Sequence, residues 1–299
     1  MGLSNVFLLG FVEPYNGLMS RTATEKMEHG KLSYRSVFIS DLHLGAVGCQ
    51  SEAVRNFLSI VGCDRLYLVG DIIDGWVGSR ASKWTQPHNN VIRALLGKSK
   101  HECPVYYTPG NHDAFMRRLN GYELGNISID HSFVHRLPDG RELLVVHGDL
   151  FDINCTKYKA IAWLGAWAYE YLMIMNASVN RRRVSRHRAP IDFCSVLKRM
   201  FKRVAKGGLS TYEQALIEHA REQGFEGVVC GHVHRPMIQT LDDGFLYINT
   251  GDWVSHCTAV VEDFDGKLSL IWWDRHAESE GMGTLWATQD STIDPVEAR

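Results

Sequence analysis

Five short apolar runs in this chain each lead into carboxylate, amide or imidazole side chains, and this recurrence constrains the fold more than any other feature. Val37-Phe38-Ile39 runs to Asp41-Leu42-His43, and Leu66-Tyr67-Leu68-Val69 to Gly70-Asp71. Val105-Tyr106-Tyr107 runs to Gly110-Asn111-His112-Asp113, Leu143 to Val146 to His147-Gly148-Asp149, and Val228-Val229-Cys230 to Gly231-His232-Val233-His234. Short β-branched and aromatic runs closed by glycine read as buried strands. In an extended segment residues i and i+2 share a face, so Asp41 and His43 are expected to reach one point past the end of their strand.

The residue types then narrow the chemistry. Two carboxylates (Asp41, Asp71), one amide (Asn111) and four imidazoles (His43, His147, His232, His234) exceed the needs of one tetrahedral zinc. They suit two divalent cations of borderline hardness that share a carboxylate, an arrangement used for displacement at phosphorus.

The order Asp-x-His, Gly-Asp, Gly-Asn-His-Asp, His-Gly-Asp, Gly-His-x-His resembles that of the calcineurin-like metallophosphoesterase superfamily, over about residues 36–260. Asp41-Leu42-His43-Leu44-Gly45 and Gly231-His232-Val233-His234-Arg235-Pro236 look most like the UDP-2,3-diacylglucosamine pyrophosphatases of lipid A biosynthesis. One departure is that the third motif of those enzymes typically carries Arg where this chain has His112, the general superfamily form.

The resemblance implies an α/β, four-layer sandwich of two mixed sheets flanked by helices, with a helical lid. It implies a hydrolase holding one cation with Asp41, His43, Asp71 and His234 and a second with Asp71, Asn111, His147 and His232, Asp71 bridging. Manganese is the first expectation, with iron and zinc open. His112, next to Asn111, is placed to hydrogen-bond the phosphate or protonate the leaving oxygen. Asp113 and Asp149 are expected behind the ligands, orienting histidines, and Asp74 is expected to be structural.

Three segments follow: an N-terminal extension over 1–30, the phosphoesterase domain over 31–276 with its lid at 151–208, and a loose tail over 277–299. Residues 6–12 are apolar but lack a basic leader and the length of a membrane span. Seven scattered cysteines without a CxxC pair point to a reducing compartment. Ser51 is read as capping a helix that buries Val54, Phe57, Leu58 and Val61, and Gly97 as stopping one that begins at Asn90. Ser210-Thr211-Tyr212-Glu213 is a capping box. Residues 246–249 and 257–261 are read as strands of the second sheet. A helix after Asp113 carries Arg117 and Arg118, either facing a phosphate or as solvated surface.

The lid segment carries the specificity expectation. Trp163, Trp167 and Leu172 lie in an apolar stretch at 160–175. Arg181, Arg182 and Arg183 open a stretch at 180–206 with ten Lys/Arg and one acid, in a chain whose net charge is −2. A core helix followed by a solvated basic helix is the plain reading. An apolar hairpin beside a basic patch suits instead an acylated substrate with an anionic head, or the anionic face of a membrane.

The expected substrate is thus a lipid-linked or nucleotide-linked phosphate, cleaved by a cytoplasmic enzyme peripheral to the inner membrane face. A phosphodiesterase or phosphatase on a soluble substrate is the alternative. Nucleic acid fits poorly because the aromatics precede the basic run. The intact ligand set argues against a non-enzymatic scaffold, and no protein partner is readable.

Overall fold

Alternation along the strands decides the layers. The computed structural model describes residues 31–46, 48–75, 84–100, 103–152 and 209–273, strands 26–28 and 285–288, and single positions within 175–186. Strand β1 (Lys26–Glu28) pairs with β2 (Lys31–Ile39). Helix α1 (Ser51–Ile60) leads directly into β3 (Val61–Val69), and α2 (Gln86–Lys100) precedes β4 (Val105–Thr108). Strands β2, β3 and β4 are parallel neighbours. Val37, Ile39, Leu66, Leu68, Val105 and Tyr107 enter one core, shared with Val54, Phe57 and Leu58 of α1 and Val91 and Leu95 of α2. The intervening Phe38, Tyr67 and Val69 enter a second core. Both faces of this sheet are covered, so its strands read as unbroken apolar runs.

A 3₁₀ turn (Ala114–Leu119) leads to β5 (Tyr122–Leu124) and β6 (Ile127–Ile129), which finish one edge of the first sheet. The second sheet starts with the hairpin β7 (Phe133–Arg136) and β8 (Glu142–Val145), joined by the expected turn at Pro138-Asp139-Gly140. After a 3₁₀ turn (Asp149–Phe151) and α3 (Thr211–Glu222) come β9 (Gly227–Cys230), β10 (Met237–Thr240) and β11 (Leu246–Asn249). Leu143, Val145, Val229, Leu246 and Ile248 face the first sheet across the second core. Leu144, Val228, Cys230 and Tyr247 face α3 through Tyr212, Leu216, Ile217 and Ala220. The order is helix, sheet, sheet, helix, the expected α/β four-layer sandwich. Each fully buried large aliphatic or aromatic side chain contributes roughly 1.5–3 kcal/mol.

The structure corrects several local expectations. Strand β12 (Thr258–Glu262) lies beside β2 in the first sheet, not in the second, and β13 (Leu268–Trp273) follows it. Within the tail expected to be loose, β14 (Leu285–Thr288) pairs with β13. Gly97 lies inside α2, which starts four residues earlier than expected at Gln86 and runs to Lys100. The N-cap of α1 is Gln50 without a side-chain bond; Val61, its C-cap, also opens β3 and is buried with Val54, Phe57 and Leu58 as expected. The capping box at α3 forms in full: Ser210 N–H donates to Glu213 Oε2 at 2.6 Å, and Glu213 N–H to Ser210 Oγ at 3.3 Å. Among the described residues no helix is long and apolar enough to cross a membrane.

Candidate metal centre

The parallel strands of both sheets deliver polar side chains past their carboxyl ends, the edge of an α/β sheet where ligands characteristically bind. Asp41 and His43 follow β2, Asp71 follows β3, His147 follows β8, and His232 and His234 follow β9. The extended-strand rule does not describe how they aim. Asp41, His43, Asp71, His232 and His234 all have left-handed backbones, with φ of 53°, 48°, 53°, 71° and 51°. Side chains other than glycine rarely adopt this region, at a cost of about 1–3 kcal/mol each, and it persists where the surroundings fix it. Here backbone bonds between the two loops do so: Asp41 N–H donates to Gly70 O, His43 N–H to Asp71 O and Leu44 N–H to Ile72 O, each at 2.9 Å.

The glycines of the motifs make room for this convergence. A Cβ at Gly70 would strike the His147 ring, at Gly110 it would strike Asp71 and His147, and at Gly231 it would strike Asp41 and Ser40. These residues are glycine because a ligand from another strand, mostly one of the facing sheet, fills the space a side chain would need.

Asp41, His43 and His234 form one group with atoms within 4.8 Å of one another, Asp41, Asp71 and His147 a second, and His43, Asp71 and His112 a third. His234 Nε2 lies 3.0 Å and His43 Nε2 3.7 Å from Asp41 Oδ1. Asp71 Oδ2 lies 3.5 Å from His147 Nε2, 3.9 Å from His43 Nε2 and 4.0 Å from His112 Nε2. His232 adjoins them, its ring 5.3 Å from that of His147. Asn111 sits between Gly110 and His112, and His112 N–H donates to Asp71 Oδ1 at 2.8 Å. Asp41 and His147 are both buried. Burial alone would lower His147, but Asp71 beside it prevails and pushes it up to about 10. Burial would raise Asp41 and Asp71; His234 holds the first and His147 the second below the ordinary carboxylate range. The cluster therefore concentrates negative charge that favours a cation.

The backing residues differ from expectation. Asp113 orients no histidine. Its carboxylate accepts from the backbone N–H groups of Gly110 at 2.6 Å, Ile72 at 2.7 Å and Asp71 at 3.3 Å, and from the Tyr107 hydroxyl, so it pins the second motif to the third. Asp149 is bound by Arg117, whose Nη2 lies 2.7 Å from both carboxylate oxygens, and the His147 Nδ1 partner is Val69 O at 2.8 Å. Arg117 is thus a clamp between two loops. Arg118 is exposed on the same 3₁₀ turn, too short to be the expected α-helix. Asp74 lies 3.1 Å from His112 Nδ1 and 3.6 Å from His43 Nδ1. Asp252, which the motif reading passed over, lies 3.9 Å from His234 Nδ1 and accepts from the N–H groups of Val254 and His256. Its signal was present: Gly251-Asp252 follows strand β11 as Gly70-Asp71 follows β3. Trp163, Trp167, Leu172 and Arg181 lie outside the described residues; Arg182 is exposed and Arg183 half-buried.

The model of the calcineurin-like phosphoesterase family matches residues 34–236. The UDP-2,3-diacylglucosamine hydrolase of Xanthomonas campestris pv. campestris is 25% identical over 244 residues, covering 77% of this chain and 96% of its own length. The protein of that name from Aliivibrio fischeri is 26% identical over 250 residues, covering 78% and 96%. Among solved structures, a dimetal phosphatase from Danio rerio aligns with a TM-score of 0.41 at 12% identity, covering 85% of this chain and 99% of that one.

Proposed function

The chain belongs to the calcineurin-like phosphoesterase family and is a hydrolase, and from that premise we propose that it cleaves the phosphoanhydride of a UDP-linked, acylated sugar lipid to UMP and a lipid monophosphate. The observation that carries the reaction class is the convergence of Asp41, His43, Asp71, His147 and His234 at the ends of strands from both sheets. The relatives named above supply the substrate class, since they align over nearly their whole length.

The family binds divalent metals, and the donors here fit such ions: carboxylate oxygens and imidazole nitrogens of mostly buried residues, gathered in threes within 4.8 Å of one another. Asp41, His43, Asp71 and His234 would hold one cation, and Asp71, Asn111, His147 and His232 the other, with manganese the first choice. When bound, such ions lower the pKa of water and offset charge on phosphoryl oxygens. The chain's own residues do the rest. Asp74 backs Nδ1 of His112 at 3.1 Å, which turns Nε2 toward Asp71 and the cluster. There His112 hydrogen-bonds a phosphoryl oxygen and delivers a proton to the leaving oxygen as water adds to phosphorus and the bridging P–O bond breaks. Asp113 keeps the loops of Asp71 and Asn111 in register through its backbone bonds.

The insertion is proposed as a lid, with Trp163, Trp167 and Leu172 against acyl chains and Arg181, Arg182 and Arg183 toward phosphate or an anionic membrane surface at the inner face. A second reading, a phosphodiesterase or phosphatase on a soluble substrate, is favoured by His112 at the position where the resembled pyrophosphatases carry arginine. One assay separates them. Trp163→Ala and Trp167→Ala, folding checked, should each weaken the UDP-linked lipid substrate about tenfold to a hundredfold, from roughly 1.5–3 kcal/mol per buried aromatic, and leave a small chromogenic phosphodiester unchanged. Equal losses on both would return these tryptophans to the core and favour the soluble reading.

A further inference from the structure

Every imidazole around the cluster except one has its backing group assigned above. Val69 O stands behind His147, Asp74 behind His43 and His112, and Asp252, which also pairs with His256 Nδ1, near His234. For His232 the place is filled by Asp152, whose Oδ2 lies 3.1 Å from His232 Nε2. No sequence motif pointed to it: Asp152 ends the 3₁₀ turn that follows His147-Gly148-Asp149, three residues beyond the motif.

The surroundings leave the His232 ring little choice of orientation. Its backbone is left-handed at φ 71°, and its N–H donates to Asp41 Oδ2 at 3.1 Å. The Tyr212 ring lies 5.5 Å away at 59°, and the His147 ring 5.3 Å away at 72°. Tyr212 is itself wedged over Gly148, where a Cβ would strike its hydroxyl. The His232 side chain is 9% exposed and that of Asp152 22%, so the pair is partly shielded from water. With Nε2 against a carboxylate, Nδ1 would be the nitrogen that meets a cation. A carboxylate at the far nitrogen fixes the tautomer and strengthens the donor.

We propose that Asp152 is a positioning residue for His232 and tunes the affinity of the cation that His232, His147 and Asn111 would share. The proposal rests on the two-cation reading above. Asp152 touches neither substrate nor cation in this account and acts only through the imidazole.

The test is calorimetric titration of the full-length chain with manganese(II) alone, with metal content measured after dialysis. Wild type is expected to take up two ions. Asp152→Ala should weaken one of them about tenfold to a hundredfold, the cost typical of losing such a partner, and leave the other unchanged. Asp152→Asn keeps an acceptor oxygen but loses the charge, and should fall between. The cobalt(II)-loaded protein adds a readout that a folding defect would not mimic: its visible absorption should change at one ion only. Unchanged affinities in Asp152→Ala, or equal loss of both ions, would overturn the proposal while leaving the two-cation reading intact. Wild type that takes up fewer than two ions would overturn the premise and the proposal together. Should Asp152→Ala melt too low to titrate, Asp152→Asn decides: binding both ions as wild type does would overturn it.

Discussion

Two buried clusters of histidine and carboxylate sit on the same strands and are built in opposite ways. Arg35 on β2 and Asp41 just past its end are about 20 Å apart along the chain, and each belongs to one of them. In the first, the groups pair off. Arg35 donates to Glu262 and to Arg136 O, Glu262 Oε2 lies 3.0 Å from His135 Nε2, and His135 Nδ1 lies 3.1 Å from the Tyr67 hydroxyl. All these residues are in ordinary strand backbone, and Phe38 and Tyr67 pack their rings against His135. In the second, the imidazoles of His43, His112 and His147 crowd one carboxylate oxygen of Asp71 at 3.5–4.0 Å, with Asp71 and His43 themselves on left-handed backbones. The first network is closed and ties both sheets together. The second directs its polarity at shared points, an arrangement that serves a bound ion better than it serves the fold.

That contrast can be broken. The largest effect is expected from Asp71→Ala, which should reduce turnover to background, measured on either substrate; retained turnover would remove the shared carboxylate from the chemistry. Next, His112→Ala should lose about a hundredfold or more in kcat while keeping its bound metal, measured by steady-state kinetics alongside metal analysis. An unchanged kcat would leave the His112–Asp74 pair a structural contact.

The closed cluster should answer to stability instead. Glu262→Gln should cost about 1–3 kcal/mol in denaturant unfolding, with kcat per folded molecule unchanged. Burial would raise Glu262, but His135, Ser36 and Arg35 beside it together outweigh burial and hold the carboxyl below its ordinary value. Its folded pKa is therefore lower than its unfolded one. The stabilisation is present above about pH 4.3, the unfolded value, and is lost as pH falls through the folded value. Wild type should thus lose stability below that pH more steeply than Glu262→Gln; parallel curves would contradict the pairing. The smallest effect lies outside both clusters. Gly97→Ala, in mid-helix with open space around its Cα, should add about 0.5–1 kcal/mol and change nothing in turnover.

The sequence displayed the open cluster far better than the closed one, for a physical reason. Ligands at strand ends leave a local signature, glycine plus a polar residue after an apolar run; Asp71, Asn111, His147 and His232 all carry it, and Asp41 follows an apolar run through Ser40. Asp252 carries it too and was legible after β11. Glu262 and His135 are 127 residues apart and meet only because β12 returns to β2 in the first sheet. A period-two pattern identifies a strand but not the sheet it joins, so the pattern of β12 does not distinguish the first sheet from the second. Asp74 and Asp152 showed no periodicity that separates a backing carboxylate from a surface one. Arg117 looked available for phosphate until Asp149 appeared beside it.

The account stands most directly on the number of divalent ions this chain holds. Metal analysis of dialysed protein, wild type beside Asp71→Ala, should find two manganese ions per wild-type chain and a loss of both in the variant, because both sets of ligands share that carboxylate. Equal metal in the two proteins, or wild type that hydrolyses its substrate at full rate in excess chelator, would contradict it.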